Sequence, residues 1–262
     1  MMKVTVLGSG TSTGVPQIGC RCAVCRSTDP RDRRLRCSSL VEVDDDTAAD
    51  GVRRILLDCG PDFREQMLRS DFQRIDAILI THEHYDHVGG LDDLRPFSVF
   101  GDVKVYAEDY CARHLIERIP YCFTPKERRY PGVPAIDLET MSPHVPLHIG
   151  NVEILPLRVM HGSLPILAFR IGDFAYVTDM LSMPDADRAM LQGVRTLIVN
   201  GLRHYVHPSH QTIEDAIALS ASLGNPSTYL IHMSHHIGLH ADEDAALPSH
   251  VHLAYDGLVL HI

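Results

Sequence analysis

The sequence predicts an α/β protein in which short buried strands alternate with short amphipathic helices. Apolar runs lead into glycine-rich or polar segments, as at 3–7 and 75–80, and segments with helical spacing follow several of them, as at 108–119 and 211–223. The chain has 262 residues, which is enough for a sizeable core. Because no linker or repeat interrupts the pattern, we expect one domain over residues 1–262.

Composition and charge exclude several classes of protein. Apolar residues make up 45% and charged residues 22% of the chain, which is ordinary for a soluble globular protein. The formal net charge of -10 argues against a large nucleic-acid surface but permits a local phosphate pocket. The apolar runs are too short to cross a membrane, and the chain starts in a strand rather than a signal peptide. We therefore expect a cytoplasmic protein with no membrane partner.

The elements of the first half follow from short apolar runs and helical spacing. A first strand runs into the glycine-rich turn 8–14, and an acidic turn at 44–51 joins the next two strands. A proline is expected to end the short helix at 90–97. Strands are predicted at 3–7, 38–43, 53–58, 75–80 and 103–106, and helices at 61–71, 90–97 and 108–119.

The second half repeats this pattern, with more hairpin turns. A Gly-Asp turn joins two of its strands, and an Asp-Gly pair at 256–257 predicts a closing hairpin. Strands are predicted at 144–149, 151–158, 166–171, 174–178, 195–199, 228–232, 251–254 and 258–262, and helices at 184–192, 211–223 and 238–247.

The strongest chemical feature directly follows the predicted strand 75–80. Residues 81–87 have the sequence THEHYDH, which places three histidines and an aspartate at the end of a buried strand. Imidazole nitrogen and carboxylate oxygen together suit zinc, manganese or iron. A solvated polar loop is the alternative, but the spacing and partner residues later in the chain favour a metal site. The candidate ligands are His82, His84, Asp86 and His87.

This HxHxDH pattern resembles the signature of the metallo-β-lactamase superfamily. The resemblance implies a four-layer αββα sandwich, with two mixed sheets packed face to face and helices outside. It also implies two divalent ions (Zn²⁺, Mn²⁺ or Fe²⁺) with a hydroxide between them. By that resemblance His161 joins His82 and His84 on one ion, His232 joins Asp86 and His87 on the other, and Asp179 bridges the two.

A second chemical feature is the C-x-C-x2-C array of Cys20, Cys22 and Cys25. Three thiolates can surround a tetrahedral ion if a fourth ligand arrives from elsewhere. The alternative is three reduced surface cysteines. The array resembles the structural zinc site of the PhnP-type cyclic phosphate phosphodiesterases, which implies His235 as the fourth ligand. We therefore expect a Cys-rich zinc loop at about 19–37 that holds one structural Zn²⁺.

Four further positions are candidates for supporting roles. Asp58 ends a predicted strand, and the resemblance implies that its carboxylate supports the metal-ligand loop by fixing the tautomer of a ligand histidine. The alternative is a strand-terminal cap. By the resemblance, an aspartate is common at the position of Asn200; an asparagine there can form hydrogen bonds but carries no charge. The resemblance implies His210 as the group that protonates the leaving group, with His207 as the alternative. The loop 121–134 carries lysine and arginine and either closes over the site or is a solvated basic loop.

The resemblance to the PhnP branch implies a phosphodiesterase that acts on a small cyclic phosphate. The first candidate is 5-phosphoribosyl 1,2-cyclic phosphate, with Asp86, Asp179 and His210 as catalytic residues. Three alternatives share parts of this evidence: a ribonuclease Z-like tRNA 3′-processing enzyme, a thioester hydrolase of the glyoxalase II type, and a non-catalytic metal-binding module. The expected partner is a small phosphorylated substrate rather than nucleic acid, and a homodimer is possible.

Overall fold

The structure, a computed structural model, describes residues 1–262 except for the side chain of Lys126. The strands are short and nearly all buried on at least one face. Across the described residues they are β1 (Met2–Gly8), β2 (Ser38–Asp44), β3 (Val52–Leu57), β4 (Ala77–Leu79), β5 (Val103–Ala107), β6 (Ile136–Thr140), β7 (Leu147–Ile149), β8 (Val152–His161), β9 (Leu164–Ile171), β10 (Phe174–Val177), β11 (Thr196–Asn200), β12 (Ser227–Ile231), β13 (Val251–Leu253) and β14 (Val259–His261).

The helices are also short. The α-helices of the described chain are α1 (Phe63–Leu68), α2 (Tyr85–Val88), α3 (Asp109–Arg118), α4 (Asp185–Met190), α5 (Ile213–Ser222) and α6 (His240–Ala246). Single 3-10 turns and one longer 3-10 segment connect them, at Val24–Arg26, Pro30–Asp32, Leu91–Phe100, Pro120–Phe123 and Lys126–Arg128.

The strands form two seven-stranded mixed sheets. The first has the order β14-β1-β2-β3-β4-β5-β6, and the second has the order β13-β12-β11-β10-β9-β8-β7. In each sheet an antiparallel group, such as β1-β2-β3, adjoins a parallel group, such as β3-β4-β5-β6. The second sheet is parallel from β10 to β13 and antiparallel from β7 to β10.

Three apolar clusters hold these layers together. One lies between the sheets and joins residues such as Val41 and Ile55 to Phe169 and Tyr176. The second covers the outer face of the first sheet with α1, α3 and the segment Leu91–Phe100, and the third covers the outer face of the second sheet with α5. The hydrophobic effect therefore favours four layers, helices outside two facing sheets, and the predicted fold class is confirmed.

Two predicted elements differ from the structure. Pro96 lies inside the 3-10 segment Leu91–Phe100 rather than ending a helix, since the φ of about −65° that the proline ring imposes is compatible with 3-10 geometry. The predicted C-terminal hairpin is wrong because β13 pairs with β12 and β14 pairs with β1, in different sheets. Asp256 between them accepts from the main-chain N–H groups of Ser9 and Leu35, which draws the chain across to the first sheet.

The fold brings several strand ends to one edge. His161 is the last residue of β8, and Asp58 directly follows β3. Asp179 lies two residues beyond β10, and His232 directly follows β12. Asp58, Asp179 and His232 have φ values of 59°, 61° and 54°, in the left-handed region that non-glycine residues rarely adopt. Such backbone conformations are often found at functional sites, because only a well-packed surrounding structure maintains them.

Candidate metal centres

Seven side chains from both halves of the chain meet at this edge, and we call them the His/Asp cluster. They are His82, His84, Asp86, His87, His161, Asp179 and His232. They form two groups, His82-His84-His161-Asp179 and Asp86-His87-Asp179-His232, in each of which the ligand atoms lie within 4.8 Å of one another. Asp179 belongs to both groups. The structure thus brings together all seven residues that the resemblance implied, with the same division between them.

Asp179 lies at the middle of the cluster and is 1% exposed. Its Oδ2 is 3.2 Å from Nε2 of His87 and 3.6 Å from Nε2 of His82. Its Oδ1 is 3.0 Å from Nε2 of His232 and accepts from Oγ1 of Thr178 at 2.9 Å. One carboxylate therefore faces imidazoles from both groups, as a bridging ligand would.

Hydrogen bonds on the far side of the rings decide which nitrogen faces the cluster. Nδ1 of His87 donates to Oδ2 of Asp58 at 2.8 Å, so its Nε2 presents a lone pair. That lone pair points at Oδ2 of Asp86, 3.3 Å away, and at Asp179. Within the described residues, Nε2 of His82 and of His87 is buried with no hydrogen-bond partner. Lone pairs and carboxylates that face one another need a cation between them, so this donor set fits divalent metal ions.

Asp58 supports the cluster in the way expected from the sequence. Besides its bond to His87, its Oδ1 accepts from the main-chain N–H of Thr81 at 2.9 Å and from Oγ1 of Thr81 at 3.0 Å. Burial raises the pKa of the Asp58 carboxyl, and the adjacent His87 opposes that rise. A buried carboxylate with these partners fixes the ring orientation of His87 and increases its basicity toward a metal.

His161 is oriented in the same manner by the main chain. Its Nδ1 donates to the carbonyl oxygens of Asp179 and Ser209, at 2.8 and 2.9 Å. These two bonds leave Nε2 free for the cluster and link β8 to the segment that carries the next histidines.

His210 lies against the cluster without belonging to it. Its ring centroid is 4.5 Å from that of His161 and 4.9 Å from those of His232 and His207. Burial, reinforced by the neighbouring His232, lowers the pKa of His210 to about 3. His210 is therefore neutral at neutral pH unless an anion binds beside it. His207 is more exposed, and its Nδ1 accepts from the main-chain N–H of Ser209.

Sequence reasoning missed the contacts of Glu83 within the motif. Its carboxylate contacts the His114 imidazole and forms an ion pair with Arg118 of α3, and Arg118 also donates to its main-chain oxygen. His114 is spaced as a surface residue of an amphipathic helix, so only the packing of α3 against the motif reveals the contact.

In the loop 121–134, the Arg129 guanidinium donates to the Asp102 carboxylate and to the main-chain oxygens of Thr124 and Ile136. These three bonds hold the guanidinium among residues 102–136.

The second candidate site, which we call the Cys cluster, consists of Cys20, Cys22, Cys25 and His235. Their ligand atoms also lie within 4.8 Å of one another. Nδ1 of His235 is 3.5 Å from Sγ of Cys20 and 3.4 Å from Sγ of Cys22. The main-chain N–H of Cys25 donates to Sγ of Cys22 and lowers the pKa of that thiol to about 6. The predicted fourth residue therefore lies beside thiols, one of which readily forms the thiolate that zinc prefers.

None of the described helices has both the length and the apolar character needed to cross a membrane. The other cysteines are buried, as expected for core thiols, at Cys37, Cys59, Cys111 and Cys122.

Comparison with known proteins identifies the family. A model described as the beta-lactamase superfamily domain matches residues 53–233. A solved structure described as a new diphosphatase from the PhnP family superimposes with a TM-score of 0.88 and 40% identity, covering 99% of this chain and 96% of that one. The chain belongs to the metallo-β-lactamase superfamily. Within that superfamily it is similar to the PhnP family.

Two further relatives carry different names. An octanoyltransferase of Porphyromonas gingivalis is 46% identical over 98% of this chain, which spans about half (51%) of that relative's length. Its name thus describes a protein about twice as long as the matched part. The Zn²⁺-bound PqqB of Methylobacterium extorquens superimposes with a TM-score of 0.78 over 99% of this chain and 100% of that one, at 19% identity, which supports the fold.

Proposed function

We propose that this chain hydrolyses a phosphodiester or diphosphate bond of a small phosphorylated substrate with the help of two divalent ions. The observation that carries the proposal is the position of Asp179, which is shared by two groups of ligand atoms. Two ions at one carboxylate suit reactions in which an attacking and a leaving oxygen both carry charge. The similarity to a PhnP-family diphosphatase supports phosphorus as the reacting centre.

The residues of the His/Asp cluster would hold the two ions in the division that the geometry gives. His82, His84 and His161 would bind one ion, and Asp86, His87 and His232 the other, with Asp179 on both. When bound, such ions lower the pKa of a water molecule and stabilise charge on phosphate oxygens. We also propose that the Cys cluster holds one structural zinc ion, because its donors are three thiols and an imidazole.

The chain's own groups position the reactants and move the proton. Asp58 and the carbonyl oxygens of Asp179 and Ser209 fix the rings of His87 and His161. We assign proton transfer to the leaving oxygen to His210, which is buried and in contact with two ligand imidazoles. An anionic phosphate beside this ring would oppose the lowering of its pKa, so the ring would take up a proton together with the substrate.

Two substrate classes fit this chemistry. A cyclic phosphate, with 5-phosphoribosyl 1,2-cyclic phosphate as the first candidate, follows from the Cys cluster and its resemblance to the cyclic phosphate phosphodiesterases. A diphosphate is the second, and the 40% identical diphosphatase favours it. Both present a phosphorus atom with an oxygen leaving group. The name of the Porphyromonas gingivalis relative is a reason to include an octanoyl thioester in the assay.

The test measures turnover by protein reconstituted with manganese on four substrates. They are 5-phosphoribosyl 1,2-cyclic phosphate, a nucleoside diphosphate, an octanoyl thioester and a tRNA precursor. We expect hydrolysis of one of the two phosphate compounds, abolished by Asp179→Ala. Turnover of the thioester or the tRNA precursor alone would contradict the proposed substrate class and leave the metal-dependent hydrolase in place.

A further inference from the structure

The main chain beside Asp179 is held by one buried carboxamide. Asn200, the last residue of β11, is 0% exposed. Its Oδ1 accepts from the N–H of Met180 at 2.8 Å, and its Nδ2 donates to the carbonyl oxygen of Met180 at 2.9 Å. Both polar main-chain groups of the residue after Asp179 are therefore bound by a single side chain.

The same carbonyl oxygen also connects to the segment that carries His210. It accepts from the main-chain N–H of Gln211 at 2.9 Å. The side chain of Gln211 in turn donates through Nε2 to the main-chain oxygen of Asn200 at 2.7 Å. Because Met180 follows Asp179 and Gln211 follows His210, Asn200 and Met180 form one polar link between the two segments. His161, which donates to the carbonyl oxygens of Asp179 and Ser209, forms another.

The backbone of Asp179 explains why such a link matters. Its φ of 61° is unusual for a residue with a side chain and persists only where the surroundings determine it. Thr178 holds one carboxylate oxygen of Asp179, and His161 holds its main-chain oxygen. The bonds from Asn200 fix the peptide on the following side, so they help to set where the carboxylate points.

We propose that Asn200 is a positioning residue. By binding the main chain of Met180, its carboxamide fixes the position of the Asp179 carboxylate relative to the His210 imidazole. This inference rests on the proposed function, in which Asp179 is shared by two ions and His210 transfers a proton. An ionised aspartate at residue 200 accepts from the N–H of Met180 but places a second oxygen against its carbonyl oxygen. An amide satisfies both groups.

The matched variants are Asn200→Asp and Asn225→Asp. Each replaces an amide with a carboxylate, but Asn225 lies in an exposed turn after α5. On whichever substrate the natural protein hydrolyses, we expect Asn200→Asp to lower kcat by roughly 10- to 100-fold with KM within about threefold, as when partners of metal ligands are changed. Asn225→Asp should stay within about twofold of the natural protein, because it touches neither group.

The second readout is the electron paramagnetic resonance spectrum of the manganese-loaded protein, which reports the coupling between paired ions. We expect Asn200→Asp to retain two manganese ions per chain but to change this spectrum. If that variant does not fold, Asn200→Ala, which removes both bonds without adding charge, should show the same loss of kcat and the same spectral change.

Two results would overturn the inference. One is a folded Asn200→Asp or Asn200→Ala with the kcat and the spectrum of the natural protein. The other is a kcat that falls only in proportion to the folded fraction, measured by circular dichroism, with an unchanged spectrum. The proposed function fails separately, if the natural protein hydrolyses none of the phosphate substrates; the spectrum of the paired ions then still tests the positioning of Asp179.

Discussion

The His/Asp cluster and the Cys cluster both gather metal-ligand side chains, but the fold builds them in different ways. The first draws its residues from the ends of β4, β8, β10 and β12 and buries most of them. The second takes its three cysteines from one partly exposed loop and only His235 from elsewhere. Strand ends therefore define the first site, whereas the second site joins one loop to His235.

The support around the two clusters differs as well. Asp58, Thr81 and two main-chain carbonyl groups orient the rings of the first cluster. In the Cys cluster, main-chain N–H groups of Gln17 and Cys25 donate to sulfur. A site that is oriented by buried hydrogen bonds suits catalysis, because its geometry is fixed before substrate arrives. A site built from thiols on a loop suits a structural ion.

His232 and His235 allow the sharpest separation of the two sites, because they are three residues apart and belong to different clusters. We expect His232→Ala to lower kcat/KM by roughly 10³-fold, since the ions supply several kcal/mol of transition-state stabilisation. Metal analysis should show that the zinc of the Cys cluster remains. Loss of that zinc with retained activity would reverse the assignment of the two sites.

His235→Ala should have the opposite pattern. We expect loss of one zinc ion per chain and a fall of roughly 5 °C or more in the thermal unfolding midpoint, because a structural ion stabilises only the folded loop. The kcat should stay within about tenfold of the natural value. Calorimetry with metal analysis checks this, and a protein that keeps all its zinc and its midpoint would contradict a structural role.

A smaller effect is expected from Asp58→Asn, which leaves every ligand in place. A neutral amide accepts the Nδ1 proton of His87 more weakly than the carboxylate does, so the affinity for the metal ions should fall by roughly 10- to 100-fold. Competition with a chelator measures this affinity. The exposed change Asp137→Asn in β6 serves as the control, and equal affinities for the two variants would show that Asp58 does not tune the site.

The last prediction concerns the buried contact between His240 and Arg34, away from the His/Asp cluster. Nδ1 of His240 accepts from Nη2 of Arg34 at 3.2 Å, which requires a neutral ring. Burial, reinforced by Arg34, lowers the pKa of His240 to about 4 from 6.5. The pKa of His240 is lower in the folded protein than in the unfolded chain, so the neutral ring contributes fully to the free energy of unfolding above pH 6.5. This contribution, about 3 kcal/mol, is lost as the pH falls toward 4.

Denaturant titrations between pH 7 and pH 4 measure that loss. His240→Gln keeps an acceptor for Arg34 but does not titrate, so its free energy of unfolding should decline less steeply over this range. The exposed change His261→Gln should leave the slope as it is in the natural protein. Equal slopes for all three proteins would remove His240 as the cause.

Much of the fold and the cluster was predictable because spacing and strand periodicity are local signals. The motif 81–87 and the resemblance it carries led to His161, Asp179 and His232, which the structure brings together. The pairing of β13 and β14 was not predictable, because the bonds of Asp256 to Ser9 and Leu35 join distant residues. The contact of His114 with Glu83 was missed for the same reason. The single domain, the cytoplasmic location, the small phosphorylated partner and the possible homodimer stay predictions.

The most direct test of the difference between the two clusters is an anomalous difference map from crystals grown with zinc. We predict three peaks per chain: two on either side of the Asp179 carboxylate and one among Cys20, Cys22, Cys25 and His235. A single peak, or none, beside Asp179 in crystals of the active protein would contradict the two-ion site on which the proposed chemistry depends.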